Sequence, residues 1–291
     1  MKDLRGKTAI LTGANGGLGV FIADALAQAG VNLFLVGFIN PGLEEVAARA
    51  ASHGVRTGFL AADLREPVER ERVVASARKQ LGPVDLLINN AGVEYSTPFD
   101  ELAETQLEEV IAVNLRAPLL LTRLVLPEML RRRSGHIVNM SSLAGKSGPA
   151  FQEPYAASKA GLTAFTFSLR ATCQGTGVSA SVITPGFVEA GIYARLKART
   201  GCSAPALLGA VRPERVAAAV LRGIRRDRPE IVISRYPVRP VLMLLALSPT
   251  LGLWLVTKLG AHAFFRRVVA AEKRGIEEKA SAQTPNEQGK Q

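Results

Sequence analysis

Cysteine and histidine are scarce in this chain of 291 residues. The two cysteines are Cys173 and Cys202, and the three histidines, His53, His136 and His262, are scattered along the sequence. This scarcity excludes a disulfide framework, and the spacing is not that of a metal site. We therefore expect no metal cofactor and a reducing, intracellular setting.

Aromatic residues make up only 5% of the chain. No set of them is interleaved with basic residues, as a base-stacking surface would require, so we expect no nucleic-acid partner. Residues 1–7 also lack the long apolar stretch of a signal peptide. The expectation is a cytoplasmic protein, peripheral at a membrane at most and not secreted.

Acidic residues are scarce in the last third of the chain. Residues 1–190 contain 18 Lys and Arg against 18 Asp and Glu, whereas residues 191–291 contain 18 against 7. The whole net charge of +11 therefore lies in the last third. Such a region favours an acidic partner, such as an anionic membrane surface or an acidic carrier protein. The alternative is an ordinary solvated basic surface.

Short apolar runs alternate with helical patterns through residue 235. The strand-like runs are residues 8–12, 31–36, 57–62, 84–88, 135–140, 178–184 and 231–234. This alternation predicts an α/β fold of the Rossmann type, a doubly wound parallel sheet of about seven strands over residues 1–235. Ligands bind such sheets beyond the carboxyl ends of the strands, where Gly13, Asp63, Asn90 and Ser142 fall.

Three local patterns within this region carry chemistry. Gly13, Gly17 and Gly19 lie between a strand and a helix, where glycines let the backbone approach a pyrophosphate, although such a turn also serves as a plain connection. Tyr155 and Lys159 are one helical turn apart, so that the lysine would lower the phenol pKa from its usual value of about 10 toward the working range. Taken alone, such a pair is usually solvated.

Asn114 lies inside the predicted helix of residues 103–133, near Pro118. Asparagine is unfavourable in mid-helix, and a proline disturbs the hydrogen-bond ladder nearby. Either the helix tolerates a kink here or the amide has a function.

Taken together, the motifs resemble the short-chain dehydrogenase/reductase family over about residues 5–235. The motifs that carry the resemblance are Thr12-Gly13-x-x-x-Gly17-x-Gly19, Asp63, Asn89-Asn90-Ala91-Gly92, Asn114, Ser142 thirteen residues before Tyr155, Tyr155-x-x-x-Lys159 and Pro185-Gly186. The resemblance implies a nicotinamide cofactor and association into homo-oligomers.

The resemblance also implies four catalytic residues. Tyr155 would exchange a proton with the substrate oxygen, and Ser142 would hydrogen-bond the same oxygen. Lys159 would lower the Tyr155 pKa and hold the nicotinamide ribose, and Asn114 would anchor a water that links Lys159 to solvent. Without the family, Ser142 would be interpreted as a strand-end hydroxyl that caps the backbone.

A set of cofactor-binding residues is implied as well. The glycines would line the pyrophosphate turn, Asp63 and Leu64 the adenine, and Asn90 and Ala91 the adenosine side. By itself, Asp63 could equally be a helix N-cap. The full set is Gly13, Asn15, Gly17, Leu18, Gly19, Asp63, Leu64, Asn90, Ala91, Gly92, Tyr155, Lys159, Pro185, Gly186 and Val188.

The chain departs from the family pattern at two places. The end of the second strand, where a charged residue usually selects NAD or NADP, is the uncharged pair Gly37-Phe38. We weakly prefer NADP over NAD, because Gly37 imposes no repulsion on a phosphate. After Pro185-Gly186, Glu189-Ala190 stands where the family often has a threonine.

An apolar and basic extension, residues 236–272, follows the last strand. Its run from Val241 to Val256 is interrupted by Pro249 and is shorter than the about 20 residues of a membrane-spanning helix. With Trp254 and flanking cations, it is typical of a segment that lies in a membrane interface. The alternative is packing on the domain or across a subunit interface. Residues 273–291 are expected to be a disordered tail.

Residues 189–208 are expected to form a mobile lid, and their apolar residues Ile192, Leu196, Leu207 and Leu208 suggest a hydrophobic substrate. The sequence thus favours an NAD(P)-dependent oxidoreductase that interconverts a carbonyl and a secondary alcohol on a lipid, steroid or retinoid-like molecule. One alternative is a 3-oxoacyl thioester reductase that receives an acyl carrier protein. Another is a nucleotide-sensing protein that keeps the fold without turnover.

Overall fold

A seven-stranded parallel sheet forms the centre of the computed structural model, which describes the backbone of residues 1–283 and the side chains of residues 1–275. The strand order is β3-β2-β1-β4-β5-β6-β7. The strands are β1 Thr8–Thr12, β2 Asn32–Gly37, β3 Thr57–Ala61, β4 Leu86–Asn89, β5 Gly135–Met140, β6 Val178–Pro185 and β7 Glu230–Ile233. The predicted Rossmann-type α/β fold is confirmed.

Helices cover both faces of this sheet. They are α1 Gly17–Gln28, α2 Leu43–Ala51, α3 Pro67–Leu81, α4 Glu104–Ile111, α5 Ala117–Arg131, α6 Ala144–Ser147, α7 Glu153–Thr172, α8 Gly191–Thr200, α9 Pro213–Arg226, α10 Arg239–Leu247, α11 Pro249–Lys258 and α12 Ala261–Gln283. Alternate residues of β2 supply the two layers, because successive side chains of a strand point to opposite faces. Leu33 and Leu35 pack with α1, α2 and α9, whereas Phe34 and Val36 pack with α3 and α5.

The strand order reverses between β1 and β4, which creates a crevice where ligands of such sheets bind. The loops after these two strands are tied together. The Thr12 hydroxyl accepts hydrogen bonds from the backbone N–H groups of Asn90 and Ala91, both at 3.0 Å. The Asn90 side chain donates in turn to the carbonyl oxygens of Thr12 and Gly13. The floor of the crevice is therefore held by neighbouring strand ends.

The predicted helix of residues 103–133 is interrupted by a π turn at Ala112–Arg116, which contains Asn114. The proline predicted to disturb this helix, Pro118, lies two residues after this π turn, within a continuous helical run whose regular hydrogen-bond pattern the π turn already interrupts. By length and composition, Glu104–Arg131 is the one helical run among the described residues that could cross a membrane. Its side chains Leu121, Val125 and Met129 are fully buried against the sheet, so it is a core helix.

The apolar run of residues 241–256 forms two helices, α10 and α11, which meet at Ser248 just before Pro249. Gly252 packs directly on Leu245, so the two helices fold back on each other. The following helix, α12, continues to Gln283. Over residues 273–283 the structure therefore differs from the predicted disordered tail, because alanine, glutamate and lysine there have high helix propensity. The rest of that predicted tail, 284–291, lies outside the described residues.

A third hydrophobic cluster joins α12 to α8. Phe264 and Phe265 of α12 pack on Tyr193 and Leu196 of α8, and Phe187 after β6 completes an aromatic cluster with ring centroids 4.9 to 6.4 Å apart. An ion pair between Arg199 and Glu272 links the same two helices. The C-terminal helix thus holds α8 in place at the mouth of the crevice.

Candidate active site

A cavity of about 280 Å³ opens at the carboxyl ends of the central strands. It brings together most of the residues that the sequence predicted for a cofactor and a catalytic group. Those that line it are Gly13, Gly17, Leu18, Asn90, Ala91, Gly92, Ser142, Tyr155, Lys159, Pro185, Gly186 and Val188. The predicted residues outside its lining are Asn15, Gly19, Asp63, Leu64 and Asn114.

The glycine turn presents bare backbone to the cavity. Gly13 has a φ of +64°, and a Cβ there would lie 2.9 Å from the Cα of Ala91, so only glycine fits. No side chain caps the N-terminus of α1, and its first turn contains no acidic residue. Gly19 lies behind the turn, where a Cβ would overlap the carbonyl oxygen of Gly13. Uncapped N–H groups on a helix N-terminus fit the pyrophosphate of a dinucleotide.

Asn15 explains the missing charge at the end of β2. Its side-chain amide donates to the carbonyl oxygens of Ile39 and Pro41, at 3.1 and 2.9 Å. A Cβ on Gly37 would lie only 2.5 Å from the Asn15 Oδ1. The Asn15 side chain thus occupies the space that any side chain at position 37 would need, including the acidic one typical of NAD-binding chains.

Asp63 and Leu64 lie at the expected adenine end. Leu64 is buried in the core. The Asp63 carboxylate accepts hydrogen bonds from the Nε and Nη2 atoms of the Arg65 guanidinium, at distances of 2.6 to 3.0 Å. This pairing lowers the pKa of Asp63. The sequence did not predict a role for Arg65. Its guanidinium carbon lies 5.7 Å from the centre of the Phe38 ring. Arg65 is therefore a cation close to the uncharged pair Gly37-Phe38, and in this structure it is paired with Asp63 and, at 3.4 Å, with Glu109.

Tyr155 lies in the first turn of α7 and Ser142 follows β5, so that their side chains meet in the cavity. The Ser142 hydroxyl accepts a hydrogen bond from the backbone N–H of Ala144 at 3.1 Å. It also lies close enough to the Tyr155 phenol to lower its pKa. Burial has the larger, opposite effect, and together with the charge of Glu94 it raises the pKa of Tyr155 to about 12.

Lys159 is buried one helical turn after Tyr155, as predicted. Its ammonium donates to the carbonyl oxygen of Met140 at 2.9 Å and lies 5.6 Å from the centre of the Tyr155 ring. Burial lowers the pKa of Lys159 to about 8. The prediction that this lysine brings the Tyr155 pKa below its usual value is wrong for this structure. Burial disfavours both charged forms, and the ammonium is directed at a carbonyl oxygen instead of the phenol.

Asn114 is fully buried beside the cavity. Its amide oxygen accepts from the N–H of Val93 and its amide nitrogen donates to the Val93 carbonyl oxygen, both at 2.9 Å. A Cβ on Gly92 would lie 3.3 Å from the Asn114 Oδ1 and 3.5 Å from the Lys159 Nζ, so both groups border the same glycine. The asparagine thus ties the π turn to the loop after β4. Its role in a proton relay stays a prediction.

A polar cluster that the sequence did not predict lies near Tyr155. The Glu94 carboxylate accepts hydrogen bonds from the Ser96 hydroxyl and from the Gln152 amide, the latter at 2.5 Å. Gln152 is buried and also donates to the Ser96 hydroxyl at 2.9 Å. Burial raises the pKa of Glu94. The one sequence feature that could have indicated this cluster is the position of Glu94, an acidic residue two positions after the Asn89-Asn90-Ala91-Gly92 motif.

The far end of the cavity is mostly apolar, although the cation Arg195 of α8 also lines the cavity. Ile192 and Leu196 of α8 and Leu208 line it, as the sequence suggested. Leu207 does not, since its side chain is 63% exposed outside the lining. The C-terminal helices complete the wall with Val241, Leu242, Val256, Leu259 and Phe265. Among the described residues, no group of three His, Cys, Asp or Glu side chains could hold a metal ion.

Known proteins with similar sequences are oxidoreductases. A family model described as short chain dehydrogenase matches residues 7–200. The ketoacyl reductase HetN of Nostoc sp. (strain PCC 7120) is 39% identical over 248 residues, which are 85% of this chain and 85% of that protein. The D-beta-hydroxybutyrate dehydrogenase of Cupriavidus necator is 35% identical over 185 residues, 64% of this chain and 72% of that protein.

A solved structure shares the fold. The crystal structure of a metagenomic short-chain oxidoreductase in complex with NADP superposes with a TM-score of 0.67 and 28% sequence identity, covering 80% of this chain and 98% of that one.

Proposed function

Because this chain belongs to the short-chain dehydrogenase/reductase family, and so is an NAD(P)-dependent oxidoreductase acting on an alcohol or a carbonyl, we propose that it reduces a neutral, hydrophobic ketone with NADPH. The observation that carries the substrate class is the apolar far end of the cavity. There the helices α8, α10 and α11 present mostly apolar side chains, such as Leu196, Leu242 and Val256, and Arg195 of α8 is the one cation that they add to the lining. A hydrocarbon chain gains roughly 0.8 kcal/mol for each buried methylene in such a pocket.

Glu94 argues for a neutral substrate. It is a partly buried carboxyl whose negative charge raises the pKa of the Tyr155 phenol. An anionic substrate that placed its carbonyl against Tyr155 would bring a second negative charge near Glu94 in a site of low dielectric, which is costly. A short keto acid is therefore a poor fit, although one relative is a D-beta-hydroxybutyrate dehydrogenase.

A 3-oxoacyl thioester is a second candidate substrate. It is favoured by the similarity to a ketoacyl reductase along 85% of the chain. Its acyl chain would suit the apolar end of the cavity. The excess of cations in residues 191–291 would suit an acidic carrier.

When bound, the nicotinamide supplies or accepts the hydride at the substrate carbon. The glycine turn and the N-terminus of α1 would hold the pyrophosphate, and Lys159 would reach the nicotinamide ribose. Tyr155 then donates its phenolic proton to the substrate oxygen, and the Ser142 hydroxyl hydrogen-bonds that oxygen as its charge develops. Because the Tyr155 pKa is raised to about 12, the phenol is protonated at neutral pH and ready to act as the acid.

Lys159 is suited to reload the phenol with a proton. Burial lowers its pKa to about 8, so the Lys159 ammonium is a stronger acid than the Tyr155 phenol, and transfer of a proton from the lysine to the phenolate is favourable. Asn114 and Gly92 border the ammonium group. A protonated Tyr155 phenol at neutral pH suits ketone reduction, in which it donates a proton, better than alcohol oxidation, which requires the phenolate.

For the cofactor, NADPH fits better than NADH. The end of β2 offers no acidic side chain to bind a 2′-hydroxyl, because Asn15 occupies the space at Gly37. The Arg65 guanidinium near Phe38 could pair with a 2′-phosphate.

Titration with NADPH and NADH, followed by nicotinamide fluorescence, tests the cofactor choice directly. NADPH oxidation would then be measured with neutral ketones of increasing chain length, with acetoacetate and with 3-oxoacyl thioesters. We expect tighter binding of NADPH and a KM that falls as the chain lengthens. Equal use of acetoacetate would overturn the substrate class, and failure of both cofactors to bind would favour a protein without turnover.

A further inference from the structure

We propose that the helical hairpin formed by α10 and α11 docks on an anionic lipid bilayer through its outer face. This docking face consists of Met243, Leu247, Leu251, Leu253 and Trp254. These side chains are 64, 83, 54, 45 and 59% exposed, and all lie within twelve residues of one another. Single exposed apolar residues are normal on proteins, but a contiguous group on one element marks an interaction site. Binding at this face does not depend on the reaction proposed above.

The charge around the docking face identifies its partner. No Asp or Glu occurs between Glu230 and Glu272, whereas Arg235, Arg239, Lys258, Arg266 and Arg267 all lie in that stretch. A second copy of the chain would bring the same acid-free, basic stretch to a shared interface, so like charges would oppose self-association. An anionic bilayer surface instead attracts each nearby cation by about 1 kcal/mol.

The hairpin also has the shape of an interfacial wedge. Its tip, around Ser248, contains Leu247 and Leu251, and Leu247 is the most exposed large apolar side chain of the docking face. Its base contains Arg239 at the start of α10 and Lys258 at the end of α11. Eight helical residues separate Arg239 from Leu247, a rise of about 12 Å. A tip inserted about 5 to 10 Å into the headgroup boundary would leave both cations among the lipid phosphates.

Trp254 lies between the tip and the base of the hairpin. The Lys258 ammonium lies 5.9 Å from the centre of its ring. Tryptophan with an adjacent lysine is typical of the polar boundary of a membrane, where the ring is amphipathic and the lysine can reach headgroups.

The inner faces of the same helices line the substrate cavity. Val241 and Leu242 of α10 and Val256 of α11 contact the cavity while Met243 and Trp254 face outward. Docking would therefore bring the apolar end of the cavity against the hydrophobic layer.

Trp254 is the only tryptophan in the chain, so its fluorescence reports on this face alone. The full-length protein would be mixed with vesicles of phosphatidylglycerol or of phosphatidylcholine, and both emission wavelength and co-sedimentation measured. We expect a blue shift and co-sedimentation with phosphatidylglycerol vesicles and little of either with phosphatidylcholine. Leu247→Glu should abolish both signals. Val68→Glu, on a side chain 72% exposed at the start of α3, should leave them unchanged.

Two results would overturn the proposal. One is wild-type protein that neither shifts nor sediments with phosphatidylglycerol vesicles at low salt. The other is a blue-shifted emission in the absence of lipid, together with a dimer in sedimentation velocity that Leu247→Glu converts to monomers. In that case a second copy of the chain covers the docking face. Far-UV circular dichroism of each variant establishes that it is folded.

Discussion

The two ends of the cavity are built by different means. At the cofactor end, the glycine turn, Asn90 and Lys159 present backbone groups and single polar atoms in fixed positions at the ends of strands. At the substrate end, α8 and the hairpin of α10 and α11 present mostly apolar side chains, with Arg195 of α8 as a cation among them. The first region depends on directional contacts that only particular residues can make, whereas the second depends on buried area and volume. Substitutions should therefore affect them differently.

The largest effect is expected from Tyr155→Phe at the junction of the two ends. The variant keeps the ring but removes the proton donor, so kcat should fall by on the order of a hundredfold or more. The NADPH dissociation constant, measured by nicotinamide fluorescence, should stay nearly unchanged. A variant with wild-type kcat would show that the catalytic proton comes from another group.

At the substrate end, Leu242→Ala should raise KM for a long-chain ketone about tenfold. The reason is that loss of aliphatic contacts in a pocket changes discrimination by about 1 to 3 kcal/mol. The dissociation constant for NADPH should not change, because Leu242 lies in the wall formed by α10. Leu253→Ala, on the outer face of the hairpin, is the matched control and should keep KM in lipid-free buffer. If Leu242→Ala changed the affinity for NADPH and left KM for the ketone unchanged, cofactor binding and substrate binding would not depend on separate ends of the cavity.

At the cofactor end, Arg65→Gln should weaken NADPH binding several-fold, because a partly exposed charge-assisted hydrogen bond to phosphate is lost. NADH affinity should hardly move, so the ratio of the two dissociation constants is the measurement. Arg72→Gln, a neighbouring exposed arginine paired with Glu69, is the control. If NADPH and NADH binding were weakened equally, Arg65 would act only through its ion pair with Asp63 and would not contact the 2′-phosphate.

The smallest effect is expected from Glu94→Gln, which replaces the partly buried carboxyl near Tyr155. The charge of Glu94 raises the Tyr155 pKa, so its removal should lower that pKa. Alcohol oxidation requires the phenolate, and its rate should therefore begin to rise at a lower pH than in the wild type. Glu108→Gln, an exposed carboxyl on α4, should keep the wild-type pH profile. An unchanged profile in Glu94→Gln would remove Glu94 from the electrostatics of the site.

The sequence predicted the cofactor end far better than the substrate end. Gly13, Asn90 and Tyr155 were identifiable because a close backbone approach and a proton donor each require one residue type at one spacing. At the substrate end, Ile192 and Leu208 line the cavity but Leu207 does not. Apolar residues serve equally well as core, wall or exposed surface, so sequence alone does not assign them.

At the cofactor end, too, the roles of some residues could not be predicted from the sequence. The space available to a side chain at position 37 depends on Asn15, which is distant in the chain and lies beside Gly37 in the fold. The Tyr155 pKa depends first on burial, and the groups that shift it besides burial are Ser142 and Glu94, neither of which is its neighbour in the sequence. Both are effects of packing between elements that meet only in the folded chain.

By itself, the sequence determined the alternation of strands and helices, the order of the catalytic motifs and the concentration of positive charge in the last third, because these follow from local periodicity and composition. Only the tertiary structure decided which apolar residues line the cavity and which face outward, that Asn114 lies in a π turn bonded to Val93, and that Glu94 and Arg65 border the two ends of the site. The physical reason is that burial, electrostatic coupling and exposure depend on distances between residues far apart in the chain.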